Sequence, residues 1–259
     1  MIQVPHGAAS AMTALTKLAD RKRDLYSVEF FDLQLRFAQK VAELSGLAVG
    51  EAVGCYTNIY VRLAMGQRLD ANNPEWQRYL AGLVGAPERA AWTHEVHRQR
   101  LPLQAGPRPA ATVGRFSYEL IGADRARLHF HAAGGASPLS AEHRDQRLGE
   151  LAELFAHLKA SSNDRMHVVG ASWLYNLDRY RRLFPERYLS SLRSVEHPYQ
   201  RMPLWGQFLA RDRTVRPAGS RFLTNIAHAS SLSELARCFP LSVLATVAPA
   251  WWFYDHLGL

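Results

Sequence analysis

Cysteine is nearly missing from this chain: Cys55 and Cys238 are the only two in 259 residues. Two thiols build neither a disulfide framework nor a four-thiolate zinc ribbon. Lysine is scarce too, at Lys17, Lys22, Lys40 and Lys159, so nearly all the positive charge is arginine. No apolar run reaches the ~18 residues of a membrane helix. The most apolar stretch, 241–253, is short and contains Pro249. No basic start leads into an apolar segment, so the expectation is a bacterial-type cytoplasmic protein without a membrane partner. The Walker pattern and the dinucleotide fingerprint are absent, as are internal repeats.

What is there is an ordinary globular balance, 47% hydrophobic and 21% charged, with a net charge of +8. A basic balance attracts nucleic acid, anionic membrane or phosphorylated small molecules. Here the arginines are scattered, and their densest group lies at 179–187. A solvated basic surface is therefore expected rather than a nucleic-acid footprint.

In the first hundred residues apolar side chains recur every three or four positions. Phe30, Leu33, Phe37, Val41 and Leu44 predict a helix over 28–44, stopped by Gly46. Val53, Tyr56, Ile59, Tyr60 and Leu63 predict another over 49–65. Asn72-Asn73-Pro74 starts a helix over 74–84, and Pro87 opens one over 88–101. That last helix carries His94 and His97, a spacing read as an ordinary exposed face rather than a metal site. Residues 101–109, with three prolines and a glycine, mark a linker.

Beyond the linker the period changes to two. Segments 112–121 and 126–131 form a hairpin signal around Gly122, with Leu128 and Phe130 on one face and His129 and His131 on the other. A glycine loop and a helix over 140–160 follow, with Arg144 and Arg147 in the helix's N-terminal half. The stretch around Met166, His167, Val168 and Val169 reads as a buried strand, then come the small residues Gly170, Ala171 and Ser172 and the large Trp173 and Tyr175. Helical pieces over 177–183, with Arg179, and 186–192 flank Pro185. Strands are expected over 194–199 and 241–248, and four aromatics, Trp251 to Tyr254, close the chain. The fold class is thus α+β. A helical part over 1–105 packs on an α/β region over 110–259, whose small mixed, twisted sheet has flanking helices.

Several of these residues carry a resemblance. Leu128-His129, the glycines Gly134-Gly135, a following helix and Ser172-Trp173-Leu174 come in the order seen in the GNAT-like C-terminal domain of bacterial acyltransferase-like proteins. The resemblance implies a GNAT-like sheet, an acyltransferase-like transferase activity and acyl-CoA as the cofactor class. The family's pyrophosphate-cradling motif has no counterpart; residues 146–151 come nearest, inside a helix.

The residues then suggest an acyltransferase-like enzyme acting on a small anionic substrate. His129 is its general base and Ser172 a polar or nucleophilic group. His131, Arg144, His167, Trp173, Tyr175 and Arg179 line the substrate, and no metal is assigned. Two other classes stay open: a non-catalytic protein-binding or self-associating module using the aromatic C-terminus, and a basic nucleic-acid-binding protein.

Overall fold

Apolar residues in helical step bury a stripe of α1 (Val28–Ser45), including Phe30, Leu33, Phe37 and Val41. The computed structural model describes residues 25–66, 68–100, 109–131, 137–161, 165–195, 204–210 and 212–259. Ser27 Oγ accepts the Phe30 amide at 3.4 Å at the start of α1, and the Gly46 amide donates to Ala42 O at 2.9 Å at its end. The single helix expected over 49–65 is broken into α2 (Val49–Tyr56) and one turn, α3 (Ile59–Arg62). Side chains there take the backbone's partners. Thr57 Oγ1 donates to Val53 O at 2.5 Å and accepts from Ile59 N at 3.1 Å, while the Asn58 amide donates to Gln34 Oε1 at 2.9 Å. Asn73 caps α4 (Pro74–Gly85), its Oδ1 accepting the Glu75 amide at 2.9 Å. In α5 (Arg89–Arg100), His97 lies fully buried, not on an exposed face. Tyr26 and Phe31 enclose its ring.

Next come β1 (Ala111–Val113), β2 (Phe116–Leu120), β3 (Arg125–Phe130), α6 (Arg144–Ser161) and β4 (His167–Ser172). They are followed by α7 (Asp178–Arg181), α8 (Glu186–Ser190), β5 (Arg193–Ser194), α9 (Ala218–His228), α10 (Leu232–Arg237), β6 (Leu244–Pro249) and α11 (Trp251–Leu257). The expected strand over 112–121 is two strands, because Gly114 turns the chain at a left-handed φ of 52°. The 101–109 linker lies outside the described residues apart from Pro109, as do most of the glycine loop and of the strand expected over 194–199.

The chain divides into two units: Met1–Gln104 with Phe208–Leu232, and Ala105–Gln207 with Ser233–Leu259. Phe208–Leu232 therefore belongs with the helices and not with the α/β region assigned to 110–259. Aromatic contact explains the return: Phe222 stacks on Phe37 at 5.9 Å and packs at a tilt against Phe208 at 4.7 Å.

The second unit holds a mixed six-stranded sheet, ordered β1-β2-β3-β4-β6-β5, with flanking helices. The fold is α+β. Every neighbouring pair is antiparallel except β3 and β4. One sheet face, with Phe116, Tyr118, Leu128, Val168 and Ala248, joins the core formed with Leu154 and Phe155 of α6. Phe253 of α11 closes that core, stacked on Phe155 at 4.3 Å, whereas Trp251 is 45% exposed. Among the described residues no helix is long and apolar enough to cross a membrane.

Beneath β4 the Tyr175 and Tyr188 hydroxyls meet at 2.7 Å, and Tyr180 packs edge-on against Tyr175. Burial pushes all three hydroxyls above the ordinary phenol range. A Cβ on Gly170 would fall inside the Tyr175 and Tyr188 hydroxyls. Gly170→Ala is expected to cost about 1–3 kcal/mol, since these rings have no room to withdraw; the shift of the urea midpoint measures it.

Candidate active site

Period two carries the candidate site. His129 on β3 points to the sheet face opposite the core, where the register sets Ser117 of β2 directly across from it, and His131, just past the strand's end, reaches the same Ser117. Glu119, two residues on, shares that face. His129 Nε2 lies 3.3 Å from Glu119 Oε1, an ion-pair distance, and Arg127 Nη1 donates to the same oxygen at 3.0 Å. His131 Nε2 lies 2.7 Å from Ser117 Oγ. The two imidazoles thus have different partners, a carboxylate and a hydroxyl. Among the described residues no three metal-ligating side chains gather.

Burial holds the His129 imidazole below its ordinary range, opposed by Glu119 and aided by Arg127. Burial also lowers His131, with His129 and Arg115 adding to it. Both rings are therefore neutral at pH 7 and able to accept a proton. His129 Nε2 is shut from solvent, yet the side chain is 37% exposed. Its open nitrogen is Nδ1.

His129 stands where two strands separate. The parallel ladder of β3 and β4 runs through Arg125↔His167, Ala126↔Val168 and Arg127↔Val169, and no further pair joins them. Both strands continue, β3 paired to β2 as far as Phe130 and β4 paired to β6 as far as Ser172. The strand of His129 and the strand of Ser172 are thus sheet neighbours.

The remaining candidates disperse. Ser172 Oγ accepts the Leu174 amide at 3.1 Å and caps the turn at Trp173–Asn176; among the described residues it makes no hydrogen bond to a histidine. His167 sits at the opposite end of the ladder, level with Arg125, ~13 Å from His129 along the strand direction. Its Nδ1 lies 2.8 Å from Arg165 O. Tyr175 is a core residue, 2% exposed, and does not face a ligand. Trp173 is half-buried, Arg179 is exposed on α7, and Arg144 pairs with Asp145 at 3.5 Å.

Beside His131 stands Arg147, noted from the sequence in the N-terminal half of its helix, together with residues to which the sequence assigned no site. A cleft of about 730 Å³ opens between the β1–β2 turn and the N-terminal half of α6, lined by Thr112, Arg115, His131, His143, Gln146 and Arg147 among others. Glu150 forms its wall. Glu150 Oε2 accepts from Arg147 Nη1 at 2.7 Å and from the Arg115 amide at 3.0 Å. Ser117 and Glu119 carried a usable signal, alternation on the strand preceding the histidines. Arg147 and Glu150 carried only an i,i+3 spacing common to solvated helices. Comparison with known proteins returns no match, whether to a family model, a curated protein or a solved structure.

Proposed function

We propose that the sheet unit is an acyltransferase-like enzyme acting on a small anionic substrate, with His129 as its general base. The observation that carries the reading is the Glu119–His129 contact at the point where β3 and β4 part. Glu119 Oε1 lies 3.3 Å from Nε2 without hydrogen-bond geometry, so it acts on the ring through its charge, and Nδ1 is the nitrogen left open to a substrate. Beyond Arg127 and Val169 the facing edges of the two strands have no ladder between them, and backbone edges of that kind bind extended, amide-bearing ligands. The arm of an acyl-CoA has that chemistry, and its thioester supplies the acyl group. His129 Nδ1 takes the proton from the acceptor's amine or hydroxyl as that atom bonds to the acyl carbon. The thiolate leaves with the electrons of the broken carbon–sulfur bond. Ser172 is a turn-capping group in this scheme and forms no covalent intermediate.

The test is thiol release from acetyl-CoA, followed with a chromogenic thiol reagent against a panel of small amines and alcohols bearing an anionic group. Protein-dependent release is expected. His129→Ala should lower kcat by about 10²–10⁴-fold with little change in KM. Glu119 raises the affinity of His129 for its proton. Glu119→Gln should therefore move the acidic limb of the pH profile to lower pH. No release with any acceptor, or full turnover by His129→Ala, sinks the reading.

A further inference from the structure

In the lining of the α6 cleft lies an arginine with one edge of its guanidinium unused. Arg147 lines the cleft with its side chain 4% exposed, and Nη1 is spent on Glu150 Oε2 at 2.7 Å. Its Nε is buried and has no hydrogen-bond partner among the described residues. The unused edge of the guanidinium, Nε with Nη2, is the one that grips two oxygens of an oxyanion side-on. Glu150 does not compete for it, since its oxygens already accept from Arg147 Nη1, the Arg115 amide and, at 3.3 Å, Gln146 Nε2.

More donors stand round the rim than a carboxylate uses. His143 Nδ1 is engaged by Ser140 Oγ at 2.8 Å, which leaves Nε2 for the cleft. His131 Nε2 is engaged by Ser117 Oγ, which leaves Nδ1. Arg115 adds positive charge at the β1–β2 turn, and the 18-residue helix α6 begins beside His143 with its positive end. A carboxylate would be satisfied by the Arg147 edge alone. A phosphate has a third terminal oxygen for the imidazoles and a dianionic charge for the cluster.

We propose that this cleft binds the phosphate group of a small phosphorylated compound, with Arg147 as its anchor and His143 and His131 at the rim. The volume of about 730 Å³ leaves room for the rest of such a molecule. The binding site does not depend on the acyl-transfer reading. The further step, that the enzyme's anionic substrate is phosphorylated, does rest on that reading.

Calorimetric titration of the full-length protein with inorganic phosphate, pyrophosphate and acetate at matched ionic strength tests the site. The expected result is one saturable site for phosphate and pyrophosphate, with acetate at least about tenfold weaker. Arg147→Met should abolish binding. Because that substitution also touches a buried ion pair, His143→Ala carries the test: about a tenfold loss of phosphate affinity with an unchanged unfolding midpoint. The proposal is overturned if phosphate and pyrophosphate show no saturable binding, if acetate binds as tightly, or if His143→Ala binds phosphate like the parent. Turnover without phosphate binding would remove this site and spare the His129 assignment; binding without turnover would do the reverse.

Discussion

Glu150→Ala is expected to destabilise the sheet unit by about 3–5 kcal/mol, because it leaves a buried guanidinium without its counter-charge. The Glu150 side chain is 11% exposed and that of Arg147 4%, so the pair is largely shielded from water. The Arg115 amide at the β1–β2 turn loses its acceptor as well, at about 1 kcal/mol or more. The turn itself is shaped for this contact. Gly114 holds a left-handed φ, and a Cβ there would fall inside the Glu150 carboxyl group. Glu150→Gln keeps an acceptor and the shape, and should cost less than half as much. The double change Arg147→Met with Glu150→Leu removes both charges and should recover most of the loss, which separates a stranded charge from a simple cavity. Urea midpoints followed by tryptophan fluorescence measure the cost, and peptide-resolved hydrogen exchange places it. A cost below about 1 kcal/mol for Glu150→Ala, with exchange around the β1–β2 turn unchanged, would show that the pair holds nothing together.

Local periodicity made much of the architecture readable. Phe30, Leu33, Phe37 and Val41 gave α1 because their spacing buries one stripe whatever lies opposite. Leu128 and Phe130 against His129 and His131 gave the two faces of β3 for the same reason. Partners set by register or by distant chain were not readable. Glu119 reaches His129 only because β2 pairs with β3 in one register, and a slip of one residue would put it on the core face. Thr57 and Asn58 interrupt a sound apolar pattern through bonds to Val53 and Gln34, which no period reports. Phe208–Leu232 follows a sheet segment in sequence yet joins the helices through Phe222. Ser172 and Tyr175 stand out in the sequence only by residue type in a small-residue turn. One became a cap and the other core, the ordinary fates of a hydroxyl beside a turn amide and of a large ring facing a sheet.

His97 makes the helical unit acid-sensitive. Its Nδ1 donates to Arg62 O at 2.8 Å and its Nε2 accepts the Tyr26 amide at 3.5 Å, an arrangement open only to the neutral ring. Burial pushes its pKa down from 6.5 to about 4, with the nearby charges of His94, Arg62 and Arg213 acting in the same direction and the bond to Arg62 O opposing them. The unfolded chain therefore binds a proton that the folded unit refuses between these two values. Stability from this residue is complete above pH 6.5 and lost as the pH falls toward 4, by about 3 kcal/mol in all. Carboxylates titrate in the lower part of that window, so the quantity to measure is the parent's loss minus that of His97→Gln. The variant should start about 1–3 kcal/mol less stable at pH 7, since a buried amide and carbonyl lose their best partner. It should then lose less on acidification, so that the two curves converge between pH 6.5 and 4. Parallel curves across that range would mean that the ring takes its proton in place, and that burial of this imidazole costs the helical unit nothing on acidification.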